Sequence, residues 1–197
     1  GTSIKLLVRP GDYVFPGAPI ALAKPMVDGV RDAIVDTTGL GSEQSSSADL
    51  EFAIRQLVEV AVRALSPGIN DPHTAISVLT RLGASLCDMV RRELANGIYR
   101  SQENVTLLVP AVDYDGLTDA MFHMIRQNAE GNTAVLIRML DVLIAVASCE
   151  PRTDRRETLM RHAALVYDDS NRTIKNRFDL EDVQHRYQDF ISIALIM

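Results

Sequence analysis

From Leu50 to Leu65 the chain is apolar almost all the way round, and its charged residues Glu51, Arg55, Glu59 and Arg63 fall four apart. That spacing predicts a helix with one stripe of alternating charge. A helix this apolar is normally enclosed by others, with its stripe reaching water, a partner or a polar pocket. Ser66-Pro67-Gly68-Ile69-Asn70 then reads as a short turn, with Gly68 as the left-handed residue that ends the helix. Asp71 suits an N-cap and Pro72 the first helical position. Ala75, Ile76, Leu79, Leu82, Leu86 and Met89 follow at steps of three and four, so a second helix runs from 72 to about 95. Gly83 inside it costs about 1 kcal/mol and points to a close backbone approach. The two segments form a hairpin on which the rest of the chain leans.

The N-terminal stretch has a different period. Ile4 to Val8 alternates like a strand, Pro10-Gly11-Asp12 turns, Tyr13-Val14-Phe15 extends, Pro16-Gly17 turns, and Pro19 to Leu22 extends again. This pattern of Gly-Asp-x-Val-x-x-Gly-x-Pro-Ile resembles half of the small β-sandwich of biotinyl and lipoyl carriers. A carrier needs its lysine at a hairpin tip, whereas Lys24 follows the last strand, so the carrier role is rejected. Half a sandwich cannot bury both faces, and an upstream segment or a second subunit is expected to complete it.

Val27, Val30, Ala33 and Ile34 predict a short helix over Met26 to Thr37. Gly39 to Ser47 is Gly/Ser-rich and reads as a connector, either a plain loop or a mobile lid. Beyond the hairpin, Val105 to Val109 reads as a strand that Pro110 ends, hence an edge strand. Helices are expected at about Leu117 to Gln127, Thr133 to Ser148, Thr153 to Tyr167 and Leu180 to Phe190, with Asn132, Thr153 and Asp179 as caps. The fold expected is mainly α, a multi-helix bundle with a small N-terminal β segment. Its parts are 1–24 (β segment), 25–48 (short helix and connector) and 49–197 (helical domain on the 50–65/72–95 hairpin).

Composition narrows the function classes. Apolar residues make up 47% and charged ones 23% of the 197, which is globular rather than disordered. The net charge of −6, without a Lys/Arg cluster, argues against nucleic acid as partner and against docking on anionic lipid. Cys87 and Cys149 are far apart in sequence and read as two reduced thiols of a cytosolic core. The most apolar helix, Thr133 to Ser148, carries Arg138 and Asp141 and is too short to span a bilayer. Gly1-Thr2 is not a natural start, and the chain reads as a fragment.

Chemistry is sparse. His73, beside Asp71 and Thr74, stands at the start of a helix, where free N–H groups favour an anion. Arg55, Arg63, Asn70, Asp71, His73 and Thr74 are therefore the candidate ligand-binding residues. The structural alternative makes Asp71 a cap, Asn70 a turn residue and the arginines partners of Glu51 and Glu59. His73, His123, His162 and His185 each read as lone histidines without a second ligand at short spacing, so no metal site is expected. Asp113-x-Asp115-Gly116 resembles the start of a calcium loop but lacks the later acidic ligand, and Asp115 reads as a helix cap. Ser66 is not set on a strand-turn-helix elbow, and Gly39-x-Gly41 is not a phosphate loop. No catalytic residue and no cofactor is expected.

Arg55-Gln56-Leu57, Arg63 to Gly68, Asn70-Asp71-Pro72 and Thr74-Ala75 together resemble the signature of an uncharacterised bacterial family of predicted membrane proteins, domain of unknown function 2254. The resemblance, which covers most of the chain, implies several N-terminal transmembrane helices followed by a soluble C-terminal region, and this chain would be that region alone. It brings no established activity. Relatives tend to carry an Arg-Thr pair near the connector, where this chain has Glu43-Gln44-Ser45. The leading expectation is a non-enzymatic, cytoplasmic domain of a membrane-anchored protein, serving assembly, regulation or sensing, with the absent membrane region and further copies of itself as partners. The alternative is a small-anion or small-ligand site, enzymatic or not, at the SPGINDP loop.

Overall fold

The computed structural model of the chain describes residues 1–9, 11–39, 41, 50–101 and 104–196. The turn at Pro10 and most of the Gly/Ser-rich connector, including Glu43-Gln44-Ser45, lie outside the described residues. The chain divides into two compact units, residues 1–52 with 94–113, and 53–93 with 114–197. The β unit thus gathers two separate stretches, rather than the N-terminal residues alone.

In the first unit, strands β1 (Thr2–Leu6), β2 (Ala21–Lys24), β3 (Ile98–Arg100) and β4 (Val105–Leu108) form one sheet in the order β2-β1-β4-β3. β1 runs antiparallel to β2 and parallel to β4, with Ile4 opposite both Ala23 and Leu107. β4 is therefore a central strand, not the edge expected from Pro110. Its ladder ends at Leu108, so the proline removes no donor from it. β4 and β3 of the same chain extend the sheet beyond β1, and Tyr13-Val14-Phe15 is not a strand. At the β3 end, Gly97 has φ 70 and its carbonyl accepts from Val109 N at 2.7 Å. An added Cβ there would sit 2.0 Å from the Val109 carbonyl oxygen, so only glycine fits. Helix α1 (Val30–Thr37) buries no residue fully. Arg9, three residues past β1, pairs with Glu51 at 2.7 Å.

The second unit is helical: α2 (Leu50–Ala64, from Ala53 on), α3 (Pro72–Met89), α4 (Tyr114–Asn128), α5 (Thr133–Cys149), α6 (Thr153–Thr173) and α7 (Arg177–Ile196). Helix α5 is its axis. Val135, Leu136, Met139, Leu140, Leu143 and Val146 are wholly buried there, and α3, α6 and α7 all pack on it. The α2–α3 hairpin exists, but α2 buries one face only, through Ile54, Val58, Ala61 and Ala64, and leaves Val60 half exposed. The reason is that α5 carries a wider apolar surface than α2, so the bundle closes round α5. Helix α3 stops at Met89 rather than near 95. Gly83 does mark a close approach: a Cβ there would meet Val142 Cγ1 at 2.5 Å.

Capping follows local chemistry with three exceptions, the first being Asp115, which lies inside α4 as its second residue instead of capping it. Asn132 Oδ1 accepts from Val135 N at 3.3 Å, as its position predicts. Thr153 is instead the first residue of α6, after Arg152. Helix α7 starts before Asp179, and Asn176 Oδ1 accepts from Phe178 N at 2.9 Å in its place. Glu150 and Arg155, both buried, pair at 3.4 Å where α5 turns into α6. Arg155 also donates to the Arg92 carbonyl at 3.0 Å and lies 4.9 Å from the centre of the Tyr114 ring.

Candidate functional site

The loop between α2 and α3 is built by its own backbone. Ile69 N and Asn70 N donate to the Ser66 carbonyl at 3.0 and 2.9 Å, and Asp71 N donates to Ala64 O at 2.8 Å. The left-handed residue is Asn70, with φ 48, not Gly68. Asparagine also tolerates that conformation, which is why composition alone misplaced it. Asp71 accepts from Thr74 N at 3.2 Å and from the Thr74 hydroxyl at 2.5 Å, the expected cap. Those two bonds, the hydroxyl's first, hold its carboxyl below the ordinary 3.8.

Of the six candidate residues, the fold brings Asp71 and Thr74 together, and it commits both to the helix start. Arg63 is exposed and donates to Glu59 at 2.5 Å, four residues back. Asn70 and His73 are exposed beside the turn, and Arg55 is exposed on α2. The geometry here is that of a capped turn.

A denser polar arrangement lies between α4 and α6. Thr158 donates to Asp115, Arg161 to Asp119 at 2.7 Å, Arg126 to Asp169, and Arg172 to Glu130 at 3.4 Å. The sequence separations are 43, 42, 43 and 42. A constant offset means that the two helices run parallel and in register, with α5 as the crossover. Three of these four contacts set an acid against an arginine, and the fourth sets Asp115 against the Thr158 hydroxyl.

Midway along it, Asp119 and His123 stand one turn apart on α4 and face His162 on α6. Asp119 Oδ1 lies 3.2 Å from Nε2 of His123 and 3.2 Å from Nε2 of His162. Neither approach has the alignment of a hydrogen bond, and both Nε2 atoms, with His162 Nδ1, lack a hydrogen-bond partner among the described residues. The His162 ring is buried, held edge-on by Phe122 at 5.4 Å and His123 at 5.2 Å. Burial first, then the Arg161 charge, pushes its pKa down to about 3, so the imidazole is neutral at physiological pH. Burial pulls the Asp119 carboxyl upward, but the Arg161 bond and the charge of His123 together hold it below its ordinary value.

His123 is not a lone histidine: Asp119, four residues before it, is a second candidate ligand at short spacing. The Asp-x-x-x-His step on one helix face was the available signal. Its third member, 39 positions further on, shows no periodicity with it.

The two cysteines also meet. Cys87 on α3 and Cys149 at the end of α5 are free thiols that line one cleft of about 420 Å³ with Asp88, Val90 and Arg91. Burial, and then the neighbouring Cys149 thiol, push Cys87 up to about 11. The thiol form therefore prevails near neutrality, which leaves Cys87 a poor nucleophile.

Among the described residues no helix is long and apolar enough to cross a membrane. The family model described as predicted membrane protein, domain of unknown function 2254, matches residues 1–145. Uncharacterized protein Mb1321c of Mycobacterium bovis and uncharacterized protein Rv1290c of Mycobacterium tuberculosis are each 30% identical to the chain over 141 residues. That stretch is 71% of this chain and 27% of each relative. No solved structure matches.

Proposed function

The chain belongs to the predicted membrane protein family of unknown function 2254, and on that premise we propose that it is an extramembranous regulatory or assembly module of a longer integral membrane protein. One observation carries this reading. The matched stretch is 27% of relatives in a membrane-protein family, and no described helix here meets the length and apolarity of a span. The module stands on the cytoplasmic face and binds further copies of itself. Tyr13, Phe15 and Met26 of the first unit, 78%, 69% and 74% exposed, supply an apolar surface for that contact.

Protease accessibility on membranes holding the full-length relative tests the placement. The segment should be cut in inside-out vesicles and protected in intact spheroplasts. Cleavage only in spheroplasts would put the module on the other face. Protection on both sides, released by detergent, would mean that it is embedded.

A further inference from the structure

We infer that Asp119, His123 and His162 form a binding site for one first-row divalent metal ion of the zinc class. Two imidazoles and a carboxylate are the donor set such ions take, in preference to the all-oxygen cages of calcium and magnesium. The three ligand atoms lie within 4.8 Å of one another, and Asp119 Oδ1 is 3.2 Å from each Nε2. Atoms bound at about 2.0–2.1 Å to a tetrahedral zinc stand about 3.3 Å apart, so two of the three edges already have the size a zinc ion needs.

The independent observation is His162. Its side chain is 1% exposed and both ring nitrogens lack a hydrogen-bond partner among the described residues. A buried polar group without a partner costs free energy that a ligand recovers. Its Nε2 faces, at 3.2 Å, the carboxylate oxygen that lies equally near His123 Nε2, and a cation among the three would give each of them a partner. Asp119 and His123 keep 39% and 35% of their side chains exposed, which gives an ion a path in from solvent. Three protein ligands leave at least one position for water.

Arg161 is the built-in competitor. It donates to Asp119 Oδ1 at 2.7 Å, and its side chain is 41% exposed and free to swing away. The metal and the guanidinium claim the same oxygen. Arg161 is thus a positioning residue whose removal should strengthen metal binding, the reverse of what loss of an ion pair does to a purely structural seam.

The test is titration of the whole 197-residue chain, stripped with chelator, with Zn²⁺ by calorimetry and with Co²⁺ by its visible d–d bands. One equivalent should bind. His123→Gln and Asp119→Asn, both at half-exposed positions, should each weaken binding at least tenfold while the helical circular dichroism stays unchanged. Arg161→Gln should tighten it several-fold. Absence of saturable one-to-one binding overturns the assignment. So does full affinity in His123→Gln and Asp119→Asn, which would place the ion on other histidines.

Discussion

Gly83 and Val142 meet so closely that a single methyl group decides whether α3 can lie on α5. Overpacking costs about 1–3 kcal/mol, and a valine in a helix cannot rotate away easily. Helix propensity returns about 1 kcal/mol on replacing glycine with alanine. Gly83→Ala should therefore lower stability in urea denaturation, and adding Val142→Ala should restore it. A Gly83→Ala chain at least as stable as the parent would show that the helices part freely. Asp71 makes a second single-residue case. Its folded pKa lies below the ordinary 3.8, so it contributes stability above that value and loses it as pH falls through the folded pKa. Asp71→Asn should flatten the acid limb of a melting-temperature profile below about pH 4 and change it little near neutrality. Both residues were legible in the sequence, because cap chemistry and glycine cost are local properties. Asn70 was not, since two neighbours, Gly68 and Asn70, each fit a left-handed position and only the backbone bonds choose between them.

Helices α5 and α6 are joined through a charge pair that water does not reach. Glu150 and Arg155 have side chains 0% and 4% exposed, and Arg155 reaches on to the carbonyl of Arg92 past the end of α3. Removing one member of a buried pair leaves the other uncompensated, at a cost of about 3–5 kcal/mol. Glu150→Gln or Arg155→Met alone should show that loss in chemical denaturation, and the double variant should lose less than the two singles summed. Additive losses would mean that the two charges act independently. At this scale the helices were readable from their apolar spacing, but the seam between α4 and α6 was not. Asp115, Asp119, Arg126 and Glu130 look like a solvated face until α6, 42 to 43 residues on, supplies their partners. Pro110 marks β4 as an edge, and nothing nearby corrects that, because the partner that makes it central, β1, lies about a hundred residues back.

For the whole molecule, the exposed Tyr13, Phe15 and Met26 predict self-association. Light scattering should return a multiple of 21.7 kDa at micromolar concentration, and Phe15→Asp should shift it toward the single-chain mass. A wild-type chain that stays at 21.7 kDa throughout would remove the surface as a self-contact. The mainly α class was legible from composition and period, whereas the division into units was not. Pairing between Thr2 and Val105 is a property of register, not of either stretch alone. That pairing sets an order of events during synthesis. β1 leaves the ribosome before α2 and α3, yet its parallel neighbour β4 emerges only after them. Non-local pairs of this kind close late. Each nascent chain therefore carries an unpaired strand edge through the making of two helices, an interval in which a chaperone, a neighbouring chain on the same message or the translocation machinery can claim it first.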